Sequence, residues 1–220
     1  RGVQRNDLLK KANTEFSLTL LLMRPTLSAV LAAAVVRGSA SAAPWQRRSL
    51  RDIYLSYEED PIVDRWLEYA EHYERHLPTP DGTTPVRLLE IGVQSGGSSR
   101  VWKQYYGNPL TYVGIDINHH AKRVESLAES ILIEIGDQTD GNFLRSVCET
   151  HGPFDVVVDD GGHTADMMHY TLNALWNASA TCLTASATYV IEDMHVMAAC
   201  ESSSPAYCKK PTDVTNVAAN

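Results

Sequence analysis

From residue 86 onward the chain alternates between short apolar runs and stretches of helical spacing, and each apolar run stops at an acidic or glycine-rich turn. The runs at 86–91, 111–115, 131–135, 154–158 and 188–191 read as strands. The stretches at 98–106, 121–129, 139–150 and 164–176 read as helices. Few folds accept such a strict succession. It predicts an α/β chain: a Rossmann-like, doubly wound, mainly parallel sheet with helices on both faces. A composition of 44% hydrophobic and 21% charged residues suits such a core and argues against disorder.

The chain divides into three parts. Residues 86–220 form the predicted core. Residues 51–85 read as an N-terminal helical extension and linker. Ile62, Trp66, Tyr69, Ala70 and Tyr73 fall at helical spacing, Pro61 suits a first turn, and Asp81-Gly82 marks the linker. Residues 1–50 read as a targeting or poorly ordered segment. Their two apolar runs are split by Arg24-Pro25 and followed by small residues. Translation from Met23 would make this a signal peptide. A signal-anchor is disfavoured by the charge and proline in mid-span, and a transit peptide or a surface helix are the alternatives. The secretory pathway or an organelle is therefore expected, otherwise the cytoplasm, with membrane contact only through this segment. Asn177-Ala-Ser179 is a glycosylation sequon that fits a lumenal site, although such triplets also arise by chance.

A net charge of −8, with no basic run longer than two residues, argues against a nucleic-acid partner. The four cysteines lack CxxC spacing, so a zinc site is not expected. Cys148 and Cys182 read as small buried apolar residues. Cys200 and Cys208 could close a disulfide loop in an oxidising compartment, or stay as thiols.

The strand ends carry the chemistry. After the first strand they read Asp116, Asp137, Asp159-Asp160 and Glu192-Asp193, and the first ends in Glu90-Ile91-Gly92. A doubly wound sheet binds ligands at these carboxyl ends. Taken singly, Asp137 and Asp159 read as helix caps. Taken together, the row reads as a site, although clustered like charges need compensation from something positive or hydrogen-bonded. The turn Gly92-Val-Gln-Ser-Gly96-Gly97 has GxxxGG spacing, not the GxGxxG of dinucleotide binding. Asp116 could accept both hydroxyls of a ribose. A nucleoside cofactor without a pyrophosphate follows, and S-adenosyl-L-methionine fits better than NAD. Asp160, Glu192 and Asp193 offer hard oxygen ligands suited to Mg²⁺. His163, after Gly161-Gly162, is placed to act as general base beside them. His195 reads as exposed, and His119, His120 and His169 as surface or packing residues.

Five segments together resemble class I S-adenosylmethionine-dependent methyltransferases of the macrolide-sugar O-methyltransferase and cephalosporin-hydroxylase-like group. They are Leu88-Leu-Glu-Ile-Gly-Val-Gln-Ser-Gly-Gly-Ser98, Gly114-Ile-Asp-Ile117, Gly136-Asp-Gln138, Phe154-Asp-Val-Val-Val-Asp-Asp-Gly-Gly-His163 and Tyr189-Val-Ile-Glu-Asp193. The resemblance implies that Glu90, Gly92, Ser95 and Gly96 line the methionine part of the cofactor. It implies that Asp116 holds the ribose, and that Asp137 and Gln138 sit near the adenine. Asp159 is counted with these cofactor-binding residues. Asp160, Glu192 and Asp193 would match the family's Mg²⁺ ligands and His163 its base. Gly162 stands where the family has Ser, and no Pro-Gly-Gly precedes the last motif. Against the seven strands of that core, five are counted, so the C-terminal strands are expected to be incomplete.

The expectation is a Mg²⁺-assisted O-methyltransferase acting on a hydroxyl of a small molecule, such as a sugar. The alternatives are a nicotinamide-dependent Rossmann oxidoreductase and a non-catalytic cofactor-binding relic serving as an interaction module.

Overall fold

The computed structural model describes residues 45–194. Five strands form one parallel sheet: β1 (Val86–Ile91), β2 (Leu110–Asp116), β3 (Ile131–Ile135), β4 (Phe154–Asp159) and β5 (Leu183–Ile191). Their order is β3-β2-β1-β4-β5. The chain starts in the middle, winds outward through β2 and β3, then returns to lay β4 on the other side of β1. This reversal opens a crevice at the carboxyl ends of β1 and β4, where such sheets bind ligands. The inner strands are buried on both faces, which is why they read as unbroken apolar runs.

Among the described residues six α-helices accompany the sheet: α1 (Leu50–Ser56), α2 (Tyr69–His76), α3 (Gly97–Tyr106), α4 (Gly141–His151), α5 (Ala165–Asn177) and α6 (Ser179–Cys182). On one face α1, α2 and α3 bury Leu50, Ile53, Tyr73, Trp102 and Tyr106 against Leu88, Tyr112 and Val156. On the other, α4 and α5 bury Leu144, Val147 and Leu175 against Leu89, Val113 and Val157. Helices as short as α1 and α2 are marginal in isolation. Their stability comes from this burial, about 1.5–3 kcal/mol for each large apolar side chain.

Several local expectations need correction. The stretch 121–129 is not an α-helix but two 3-10 turns, His119–Val124 and Leu127–Glu129. Lys122 Nζ donates to the Ile133 carbonyl and Glu125 accepts from the Ile133 amide, so this segment is tied to β3 and cannot coil freely. The helical spacing after Pro61 does not form a helix there. Residues 57–68 are an irregular strap, α2 begins at Tyr69, and Ile62 and Trp66 stand exposed. Backbone contacts decide this: Tyr57 donates to the Pro61 carbonyl and Ser95 to that of Ile62. Strand β5 starts earlier than expected because α6 feeds directly into it, without a glycine or proline turn.

Cys148 and Cys182 are buried as expected but are not free thiols. They form a disulfide, with Cα atoms 4.6 Å apart, that ties α4 to α6. Trp45 and residues 57–85 belong to the same compact unit as the sheet. Residues 1–44 of the expected targeting segment, His195, Cys200 and Cys208 lie outside the described residues, while Leu50 at its end is buried in α1. Among the described residues no helix is long and apolar enough to cross a membrane.

Candidate active site

At the carboxyl edge of the sheet lies a cavity of about 1110 Å³, walled by the turns after all five strands and by the strap. That is room for a nucleoside cofactor beside a small acceptor. The glycine turn after β1 forms one side. Gly92 has φ +87°, and a Cβ there would run into the Asp160 carbonyl, so the exits of β1 and β4 interlock. Gly96, with φ +92°, starts α3 against Val124. Gly97 sits where the Ile62 backbone crosses, which seats the strap on the turn.

Asp116 lines the cavity, yet it already braces the backbone. Its Oδ2 accepts the amides of Val93 and Gln94 at 2.9 and 2.8 Å, and its Oδ1 that of Asn118 at 2.8 Å. A carboxylate has about four acceptor positions. About one is left for a further donor, where acceptance of both ribose hydroxyls would ask for two. Asp137 also lines the cavity. It caps its own turn through Thr139, and those bonds hold its carboxyl below the usual range. It is not the cap of α4; that is Asp140. Gln138 reaches the wall but uses both ends of its amide. Its oxygen takes the Gly162 amide at 2.7 Å and its nitrogen donates to Thr171 at 3.0 Å, which fixes the Gly161-Gly162 turn. Gly162 itself is covered by the Met167 thioether.

Of the other expected cofactor residues, Gly92 and Ser95 line the cavity, whereas Glu90, Gly96 and Asp159 do not. Asp159 is fully buried, accepts from Tyr189 at 3.0 Å, and is not a helix cap, since Thr164 caps α5. Glu90 is also fully buried. Ser98 and Tyr112 donate to its Oε2 and Arg65 holds its Oε1 at 2.6 Å. It braces the floor and does not touch the space above.

Arg65 is the residue that sequence reasoning missed. Its side chain is 3% exposed and bridges three acids from the ends of β1, β4 and β5. Besides Glu90, Nη2 lies 3.0 Å from Asp160 Oδ2 and Nη1 lies 3.1 Å from Glu192 Oε1. Burial works against its charge, but Glu90 and Glu192 outweigh it and keep the guanidinium fully protonated. The one hint in the sequence was the crowding of strand-end carboxylates, which required a compensating cation somewhere. His120, read as a surface or packing residue, also reaches the wall, as does Arg123.

Asp160, His163 and Asp193 each present a donor atom within 4.8 Å of the others. The group differs from the expected ligand set. Glu192 is held by Arg65 and by the Tyr73 hydroxyl, and His163 stands in its place. Tyr69 donates to Asp193 Oδ1 at 2.8 Å. His163 Nε2 lies 3.8 Å from Asp160 Oδ1, beyond hydrogen-bond reach, and its Nδ1 is buried with no protein partner. Both His163 and Asp193 have φ +52°, a conformation uncommon outside glycine and recurrent at functional sites. Burial raises the Asp160 carboxyl to about 6 and that of Glu192 to about 7, in each case against the pull of Arg65. Two hard carboxylates beside an imidazole with an unpaired nitrogen fit a divalent cation such as Mg²⁺. The cavity beside Asp116 and the glycine turn fits a nucleoside.

A family description, "Methyltransferase domain", matches residues 89–183. Demethylmacrocin O-methyltransferase of Streptomyces fradiae is 32% identical over 169 residues, which is 74% of this chain and 39% of that protein. L-olivosyl-oleandolide 3-O-methyltransferase of Streptomyces antibioticus is 33% identical over 147 residues, 63% of this chain and 35% of that one. Among solved structures, the MycE methyltransferase of the mycinamycin biosynthetic pathway, in complex with Mg, SAH and mycinamycin VI, is 31% identical. Its TM-score is 0.57, over 70% of this chain and 41% of that one. The chain thus spans about two fifths of the length of the relatives it matches.

Proposed function

We propose, from the premise that the chain belongs to the class I S-adenosylmethionine-dependent methyltransferases in the macrolide-sugar O-methyltransferase group, that it methylates a hydroxyl of a small molecule, in the first place a sugar. The observation that carries this reading is the meeting of Asp160, His163 and Asp193 within 4.8 Å beside the glycine turn. The names of the relatives support a glycosylated acceptor. They do not favour the nicotinamide alternative.

Asp160 and Asp193 would hold Mg²⁺, with His163 at their side. The bound ion would lower the pKa of an acceptor hydroxyl, and S-adenosylmethionine would supply the electrophilic methyl group. The chain's own residues do the rest. Asp116 and the glycine turn would hold the nucleoside end, and the strap limits access from the other side. His163 Nε2 would take the proton of the acceptor hydroxyl as that oxygen is methylated. In-line positioning supplies much of the rate.

His163→Ala should keep S-adenosylmethionine binding and lose ~10²–10⁴-fold in transfer rate. The assay is mass spectrometry of a panel of glycosides after incubation with labelled methyl donor and Mg²⁺. Unchanged transfer by the variant would remove His163 from the role of base, and no labelled acceptor in the whole panel would count against the sugar hydroxyl. We also propose an oxidising compartment, a secretory or organellar lumen, with the Cys148–Cys182 bridge as its support.

A further inference from the structure

We infer that Arg65 is a positioning residue that withholds Glu192 from the Asp160–His163–Asp193 group and so sets how tightly that group binds a divalent cation. The inference rests on the proposed function only in assuming that the site uses a cation. Glu192 precedes Asp193 in the chain and is chemically suited to the same ion, yet it is tied elsewhere. Arg65 Nη1 holds its Oε1 at 3.1 Å, and the Tyr73 hydroxyl donates to the same oxygen. Asp160 is half committed in the same way, with Oδ2 on Arg65 and Oδ1 turned to His163.

The affinity of a hard dication rises with the number of charged ligands it can draw on. A fixed guanidinium removes one such ligand and adds positive charge beside the site. Both effects weaken cation binding and keep the ion exchangeable. Only arginine has a fork that meets three carboxylates at once; a lysine ammonium is a point charge. The strap delivers it from outside the matched region 89–183, seated by Ser95 on the Ile62 carbonyl and by the bare Cα of Gly97. On this view the strap tunes the ion site as well as walling the cavity.

The test is direct Mn²⁺ binding to the purified full chain by calorimetry, with no methyl donor or acceptor present. Arg65→Met with Glu90→Gln removes the guanidinium together with one of its acids, so the net charge of the cluster is unchanged. Mn²⁺ should then bind about tenfold tighter or more, because one more charged ligand becomes available, and adding Glu192→Gln should cancel that gain. Tyr73→Phe, which removes one of the two anchors of Glu192 and leaves that of Arg65, should tighten binding about threefold. Equal or weaker binding by the folded double variant overturns the inference, as does a gain that survives Glu192→Gln. Should the double variant not fold, Tyr73→Phe decides on the same terms. No Mn²⁺ binding by any variant also overturns it. The expected Mn²⁺ series in a chain that transfers no methyl supports the inference while the proposed function fails.

Discussion

Three acids in and beneath the site hold their protons more tightly than exposed carboxyls do. Burial lifts Asp159 and Asp160 to about 6 and Glu192 to about 7. Unfolded, the same groups release their protons near pH 4. Between about pH 4 and 7 the folded chain therefore binds more protons than the unfolded one, and stability must fall as pH rises through that window. Half-buried carboxyls held low by their hydrogen bonds, such as Asp137 and Glu125, act only below it. Thermal melts without divalent ions should give a higher Tm at pH 5 than at pH 8, and Glu192→Gln should flatten the difference. Mg²⁺ should raise Tm more at pH 8, because at Asp160 it competes with a proton for the same carboxylate. A Tm that climbs from pH 5 to pH 8 in metal-free buffer would refute the assignment. The acids themselves were legible in the sequence, because a strand end is written in local order. Arg65 was not. Its role depends on a docking that brings residue 65 to residues 90, 160 and 192, and nothing local to it marks that meeting.

Among the elements, the strands were the most readable and the strap the least. Alternation of apolar runs fixed the strand positions, since a central parallel strand has no polar face to hide. Helical spacing misled at 121–129, where pairing to an edge strand won, and after Pro61, where backbone contacts to the glycine turn won. Gly97 gives a sharp check on the strap. It lies in the first turn of α3 without positive φ, so alanine would favour the helix by up to ~1 kcal/mol. An added Cβ, however, meets the Ile62 carbonyl, and that backbone has no side-chain freedom with which to yield. Gly97→Ala should therefore lower Tm and speed protease cleavage within residues 57–68. A variant more stable than the parent would show that the strap is not pinned there.

For the molecule as a whole, the bridge between Cys148 and Cys182 is the feature with the largest expected effect on stability. It closes a loop across a sequence separation of 34 residues and binds α4 to the entry of β5. Loop-closure entropy gives roughly 3–4 kcal/mol for a ring of this size. Replacing both cysteines by alanine should lower the denaturant midpoint accordingly, and reductant should do nothing further to that variant. Equal midpoints for parent and variant under oxidising conditions would mean that the bridge does not form. Spacing alone offered no sign of this pair, because its two halves sit in elements that meet only once the sheet is assembled. Arg65 has a similar reach over the whole chain. It comes from ahead of the stretch by which the fold is recognised, while the acids it satisfies lie within and just beyond that stretch. Trimming the protein to the borders of the recognised domain would strand Glu90 and Asp160 without their counter-ion and cut away Glu192, so useful boundaries for expression begin upstream of the strap and run past Asp193.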